Sequence, residues 1–313
     1  MTETGNKSFD RIRAVFEEAY RIGLGYTDQG KVADYIPELA KANRDDFGIS
    51  MIDGDLRTLS LGDCEKRFSM QSVSKVILLC AALLHCGFEE TFSHVMMEPS
   101  GDSFNSILKL DLASNRPYNP MINAGAIETA SLISGDLSFG DLLGYARELC
   151  ADPEICLDEA VYASESKTGD RNRAIVYLLK SKGVLMDEPE RTLDLYFRMC
   201  SLSVNARSLA NLGLVIANGG LDPFTGRRLI PTEHVRTLKV IMFTCGMYDY
   251  SGKFSVRVGV PSKSGVGGGL VCAAKGPMGI GLYGPSLDAF GNSKAAVKAM
   301  EHISRELELH SFY

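Results

Sequence analysis

Residues 71–84 read QSVSKVILLCAALL, and they combine a chemistry-bearing start with a long apolar run. The run predicts a buried helix from Val73 to His85. Ser72 at the helix start lies one turn from Lys75, on the same face. Packing against an apolar helix desolvates the lysine, which lowers its pKa and lets the neutral amine accept a proton. The segment therefore suits a serine nucleophile with a lysine base, although a helix cap followed by a solvated lysine is the plainer interpretation.

A second motif lies near the C-terminus, where residues 263–269 read KSGVGGG between β-like segments. Glycines at this density let a strand edge approach a substrate closely, and a backbone N–H there can point at a developing oxyanion. Serine–lysine acylating enzymes such as β-lactamases and penicillin-binding proteins pair S-x-x-K with a late K-T-G strand, whose place Lys263-Ser264-Gly265 takes here. No G-K-[ST] follows the glycines, so nucleotide binding is excluded.

The pattern outside these motifs predicts strands near both ends of the chain and helices between them. A helix over residues 11–23 precedes two strands, FGISMID and LRTLSLG, which the turn signal Asp53-Gly54-Asp55 joins as a hairpin. The later β-like segments are SVRVGVP (255–261), GLVCAAK (269–275) and MGIGLYG (278–284), and a helix over 293–309 follows them. The other predicted helices span 139–149, 172–182, 193–200 and 206–217.

We therefore predict an α/β (α+β) fold in which an antiparallel sheet is flanked by helices. Residues 1–71 and 226–313 form an α/β subdomain, and residues 72–225 form a mostly helical one. The active site is expected in the cleft between them.

Composition limits the possible partners. A net charge of −6, from 33 basic and 39 acidic residues without long runs, predicts no binding to nucleic acid or membrane. The longest apolar stretch, residues 76–84, is less than half of the roughly 20 residues that a bilayer span needs, and residues 1–10 lack the features of a secretory signal. The eight scattered cysteines and five histidines lack ligand spacing. We expect a cytoplasmic protein with buried free thiols and no metal.

Further segments are less generic: YIPELA (35–40), Gln71 before the serine, MINAGAI (121–127), SESKTGDRN (164–172) and CGMYDYSG (245–252). With the two motifs, they closely resemble the serine-dependent glutaminases of compact bacterial type, from about Arg11 to the C-terminus. The resemblance implies a β-lactamase/DD-peptidase-like fold and hydrolysis of L-glutamine to L-glutamate and ammonia. It also implies no cofactor and a homo-oligomer, either a dimer or a tetramer.

The resemblance also implies roles for individual residues. Ser72 is the nucleophile and Lys75 the base, and the N–H groups of Ser72 and Val266 form the oxyanion hole. Tyr248 transfers a proton to the leaving ammonia, with a phenol pKa that Lys75 or Lys263 lowers. Glu165 binds the substrate ammonium. The other residues that hold or line the substrate are Tyr35, Asn123, Ser164, Asn172, Tyr196 and Ser264.

Taken singly, these residues also have plainer interpretations: Asn123 a turn residue, Asn172 a helix cap, Glu165 a solvated carboxylate and Tyr196 a core aromatic. Two other functions share the pattern. A β-lactamase or transpeptidase would have the same serine and lysines, although its substrates lie outside the cytoplasm. A non-catalytic glutamine sensor would keep the pocket, but it would be free to lose Ser72, Lys75 and Tyr248.

Overall fold

The computed structural model describes residues 3–100 and 116–312, with side chains from residue 9 onward. The polar start (1–10) and the predicted helical subdomain (72–225) therefore lie partly outside the described residues. The helices are α1 (Glu3–Leu24), α2 (Ser74–His94), α3 (Asn123–Ser131), α4 (Phe139–Cys150), α5 (Glu159–Thr168), α6 (Asp170–Ser181), α7 (Pro189–Cys200), α8 (Ala206–Ala217), α9 (Thr232–Cys245), α10 (Ser251–Arg257) and α11 (Lys294–Glu306). The strands are β1 (Gly48–Asp53), β2 (Thr58–Gly62), β3 (Phe68–Ser69), β4 (Cys156–Leu157), β5 (Leu202–Val204), β6 (Ser262–Ser264), β7 (Gly269–Ala274) and β8 (Met278–Tyr283).

The main sheet joins strands from the two ends of the chain in the order β2-β1-β8-β7-β6. Every pair of neighbours is antiparallel, and Met51 on β1 lies opposite Ile280 on β8. This confirms the predicted antiparallel sheet. The predicted subdomain boundaries at 71/72 and 225/226 stay a prediction.

Helices cover both faces of this sheet. On one face, α1 and α11 close a buried cluster that includes Phe16, Ile49, Ile280 and Met300. On the other face α8 packs so closely that a Cβ on Gly279 would lie 2.0 Å from the Ala210 carbonyl oxygen. The glycines of the GIG segment in β8 therefore allow the backbones of the strand and the helix to come into direct contact.

A small second sheet, ordered β3-β5-β4, anchors the start of α2. Immediately after β3, the Met70 N–H donates to the Leu202 carbonyl of β5 at 2.7 Å. The helical segment Gln71–His94 is long and apolar enough to cross a membrane, but 72% of its apolar window is buried inside this fold. It therefore has the burial of a core helix, and it holds the Ser72-x-x-Lys75 motif rigidly.

Two expectations from the sequence were wrong in detail. Residues 255–261 were predicted as a strand, but Ser251–Arg257 is helical, because the buried Phe254 and Val258 are four residues apart while Val256 is 79% exposed. The Asp53-Gly54-Asp55 turn, in contrast, is confirmed: the Leu56 N–H donates to the Asp53 carbonyl at 2.9 Å, which places Gly54 and Asp55 at the bend between β1 and β2. Cys156 is exposed, although all eight cysteines, which lie in the described residues, are free thiols.

The sequence patterns also missed three helices that have short or mixed apolar faces. They are α3, α5 and α9. Two of them, α3 and α5, carry residues of the candidate site described below.

Candidate active site

The Ser72 hydroxyl begins a buried hydrogen-bonded chain. A 3-10 turn, Gln71–Val73, places it directly before α2. Lys75 Nζ lies 3.0 Å from Ser72 Oγ and donates to Asn123 Oδ1 at 2.7 Å. Asn123 Nδ2 in turn donates to Asn172 Oδ1 at 3.0 Å. The first turns of α2, α3 and α6 therefore meet at one point.

Lys75 has the environment of a general base. Its side chain is only 1% exposed, and burial lowers its pKa to about 8, while the Glu165 carboxylate acts in the opposite direction. Roughly a tenth of the amine is therefore neutral at pH 7, compared with a negligible fraction for an ordinary lysine. A neutral amine 3.0 Å from a hydroxyl can accept its proton as the oxygen attacks.

The glycine loop after β6 lies against the nucleophile turn. The Gly268 N–H donates to the Gly265 carbonyl at 2.9 Å, and Gly268 has a φ of 96° that favours glycine. A Cβ on Gly265 would lie 2.8 Å from the Met70 carbonyl oxygen and 3.4 Å from the Ser72 nitrogen. Only a loop without side chains at this position brings residue 266 beside Ser72.

Tyr248 lies on the other side of the nucleophile, in a 3-10 turn before α10. Burial raises its pKa, which outweighs the lowering effects of hydrogen bonding to the Ser72 side chain and the Val266 backbone. The expectation of a lowered phenol pKa was therefore wrong. Lys263 does lie 4.3 Å from the ring centroid, but burial and the nearby Lys75 lower its own pKa, which weakens its charge.

A cavity of about 270 Å³ opens beside Ser72. Its lining brings together residues that are far apart in the sequence: Tyr35, Ile36, Gln71, Ser72, Asn123, Glu165, Thr168, Gly169, Arg171, Asn172, Tyr196 and Cys200. The volume and the polar lining suit a small polar molecule.

Glu165 is the buried carboxylate of this cavity, with 5% of its side chain exposed. Burial raises its pKa to about 7, while a hydrogen bond from Gln71 and the charge of Lys75 oppose the rise. A carboxylate in this position can accept hydrogen bonds from a ligand ammonium. The interpretation of Glu165 as a solvated surface carboxylate is thus wrong.

Two predicted substrate residues, Ser164 and Ser264, are not among those that line the cavity. The Ser164 hydroxyl accepts a hydrogen bond from the Glu38 N–H at 3.3 Å, and this bond fixes the loop that contains Tyr35. The Ser264 carbonyl accepts from Lys263 Nζ at 2.6 Å. Two further residues predicted to contact the substrate, Val266 and Tyr248, also lie outside the lining, and they pack together in a small apolar cluster.

The structure adds residues to the site that the sequence did not single out as ligands of the substrate. Thr168 lines the cavity from the end of α5, Arg171 from the first turn of α6, and Cys200 from α7. Arg171 stands directly before Asn172, so the SESKTGDRN segment was the available signal. Within residues 3–100 and 116–312, no group of three or more His, Cys, Asp or Glu side chains could hold a metal ion.

Comparisons with known proteins agree with this geometry. The family model described as Glutaminase matches residues 30–312. Glutaminase 2 of Clostridium perfringens is 50% identical over 291 residues, which cover 92% of this chain and 95% of that relative. The solved structure of a probable glutaminase, ybaS, has a TM-score of 0.91 at 34% identity and covers 97% of this chain and 98% of its own.

A second solved structure is a covalent complex between the Bacillus subtilis glutaminase YbgJ and 5-oxo-L-norleucine, formed by reaction with 6-diazo-5-oxo-L-norleucine. It is 34% identical with a TM-score of 0.86, and the match covers 95% of this chain and 98% of that chain. These likenesses and the antiparallel sheet confirm the predicted β-lactamase-like fold. The chain belongs to the glutaminase family.

Proposed function

We propose that this protein hydrolyses the side-chain amide of L-glutamine through a glutamyl ester on Ser72. The observation that carries the proposal is the buried Lys75 amine, 3.0 Å from Ser72 Oγ, beside a cavity that both Ser72 and the carboxylate of Glu165 line. The first pair suits acyl transfer, and the carboxylate suits an amino-acid ammonium. The family and the covalent complex of its Bacillus subtilis member with a glutamine-like molecule support the same chemistry.

In the acylation step, Ser72 Oγ attacks the amide carbon while neutral Lys75 takes the hydroxyl proton. The carbonyl oxygen gains negative charge, which the N–H groups of Ser72 and Val266 stabilise, each donor typically contributing about 3 kcal/mol. The C–N bond then breaks, and the nitrogen leaves as ammonia after it gains one proton.

Tyr248 supplies that proton in the proposed sequence. Because burial raises its pKa, the phenol keeps its proton until the leaving nitrogen becomes basic, and the proton that Lys75 took from Ser72 then restores the phenol. In the second half-reaction Lys75 takes a proton from water as the water attacks the ester, and gives that proton to the Ser72 oxygen as the C–O bond breaks, which releases L-glutamate and free Ser72. The two half-reactions together need no cofactor.

The residues that line the cavity recognise the two charged groups of the substrate. Glu165 accepts hydrogen bonds from the ammonium, and Tyr35, Asn123, Asn172 and Tyr196 surround the carboxylate and the carbon chain. Only the ionised form of the buried Glu165 carboxylate binds the ammonium well, so substrate binding depends on the protonation state of Glu165.

The direct test is the reaction itself. Purified protein supplied with L-glutamine should release ammonia and L-glutamate in equal amounts, as measured by a coupled dehydrogenase assay. A penicillin reporter assayed in parallel separates this activity from that of a β-lactamase. Turnover of the reporter without glutamine hydrolysis would contradict the proposal.

We also propose a cytoplasmic location and a homo-oligomer. Eight free thiols suit a reducing compartment. The oligomer rests on the family resemblance, and the net charge of −6 supports the absence of a nucleic-acid partner.

A further inference from the structure

Gln71 is a buried polar residue that stands next to the nucleophile and takes no part in the proton transfers described above. Its φ of 48° lies in the left-handed region, which costs free energy for a residue other than glycine. Only 3% of its side chain is exposed, and Nε2 donates to Glu165 Oε2 at 3.2 Å. A strained backbone therefore directs an amide from the nucleophile turn to the carboxylate of α5.

The surroundings of Gln71 hold this arrangement. The Val73 N–H donates to the Met70 carbonyl at 3.2 Å, which closes the turn around Gln71. The glycine loop lies on its other side, because a Cβ on Gly267 would lie 3.4 Å from Gln71 Cγ and 2.3 Å from the Ser69 carbonyl oxygen. The side chain is thus confined to the direction of Glu165.

The hydrogen bond from Gln71 has an electrostatic consequence for Glu165. Burial raises the pKa of this carboxyl to about 7, and the Gln71 amide is the larger of the two effects that oppose the rise, the other being the charge of Lys75. The other titratable acids that face Glu165 are the phenols of Tyr35 and Tyr196 and the Cys200 thiol, all of which stay neutral near pH 7, and the cationic Arg171 side chain lines the same cavity. None of these neutral acids replaces the effect of the amide.

We propose that Gln71 is a positioning residue that orients the ionised Glu165 carboxylate and fixes it relative to Ser72, so that an α-ammonium group binds in register with the nucleophile. This inference rests on the proposed function, since the ammonium is that of the amino-acid substrate. It assigns the left-handed backbone at residue 71 to recognition as well as to the geometry of the turn.

The direction of the pH effect follows. Ionised Glu165 is needed for binding, so affinity for glutamine should rise as the pH rises through about 7. Loss of the Gln71 donor removes a stabilising interaction of the ionised form, which moves the midpoint upward by about one pH unit.

The experiment uses the Ser72→Ala protein, so that binding is measured without turnover. Calorimetry gives the Kd of L-glutamine from pH 6 to 9, with and without the added change Gln71→Met, which keeps the side-chain length but removes the donor. We expect binding about 5-fold weaker at pH 7, a loss that approaches 10-fold at pH 6, and a much smaller loss at pH 9. Gln29→Met, the same substitution at an exposed position, should leave the binding curve unchanged.

Glutaramate, which is glutamine without its α-amino group, distinguishes positioning from packing. Gln71→Met should leave its Kd within about 2-fold, because it has no ammonium for Glu165 to bind. An equal loss for both ligands, or a loss for glutamine that is the same at every pH, would overturn the role of Gln71 and leave the proposed function intact. Failure of the Ser72→Ala protein to bind glutamine at any pH would overturn both.

Discussion

Replacing Ser72 or Lys75 with alanine is expected to lower the turnover of glutamine by at least ~10³-fold. Without the hydroxyl no ester forms, and without the amine no group at 3.0 Å can take the hydroxyl proton. The two losses should not add in the double variant, because both residues serve one acylation step. Steady-state ammonia release measures the effect.

Two controls separate chemistry from folding in that experiment. Lys75→Met removes the amine but fills most of its buried volume, so it should be as inactive as Lys75→Ala and more stable. Ser74→Ala changes the neighbouring buried serine, whose hydroxyl makes only a 3.8 Å contact with Cys200 Sγ, and should keep activity within a few-fold. A near-normal rate in Ser72→Ala or Lys75→Ala, with an unchanged circular dichroism spectrum, would exclude the pair.

Discrimination against asparagine should be the second large effect, with kcat/KM values that differ by on the order of 100-fold or more. The proposed contacts fix the substrate at both ends, with the ammonium at Glu165 and the reacting amide at Ser72. Asparagine is one methylene shorter, which would leave its amide carbon roughly 1.3 Å from the required position, and misplacement of about 1 Å can cost about 100-fold in rate.

A variant of Glu165 tests whether this discrimination depends on the ammonium site. Shifting asparagine toward Ser72 would weaken the charge-assisted contact at Glu165, so Glu165→Gln should lower kcat/KM for glutamine far more than for asparagine. Near-equal kcat/KM values for the two amino acids in the unmodified enzyme would mean that the ammonium site has been misassigned.

Much of this site could be predicted from the sequence where the contacts are local. Ser72 and Lys75 are three residues apart where a 3-10 turn leads into α2, so the helical spacing alone indicated their contact. The turn signal Asp53-Gly54-Asp55 between two β-like segments likewise indicated the hairpin of β1 and β2. Local patterns failed at residues 255–261, where valines at alternate positions imitate a strand although the burial is helical.

The remaining parts of the site depend on burial and on long-range contacts, which the sequence does not specify. Gln71 meets Glu165 across 94 positions, and Asn123 joins Lys75 to Asn172 across 48 and 49. The direction of the Tyr248 pKa shift was wrong for a related reason. Nearby lysines suggested a lowered pKa, but burial destabilises the charged phenolate by more than the hydrogen bonds from its neighbours stabilise it.

The glutamyl ester on Ser72 is the central claim, and a reactive glutamine analogue tests it most directly. 6-Diazo-5-oxo-L-norleucine carries its reactive group where glutamine has the amide, so it should modify the nucleophile once per chain. Peptide mapping by mass spectrometry locates the adduct, and Cys200 in the same cavity and the adjacent Ser74 are the competing sites. The account predicts an adduct on Ser72 that Ser72→Ala abolishes, and an adduct on Cys200 or Ser74 in the unmodified enzyme would contradict it.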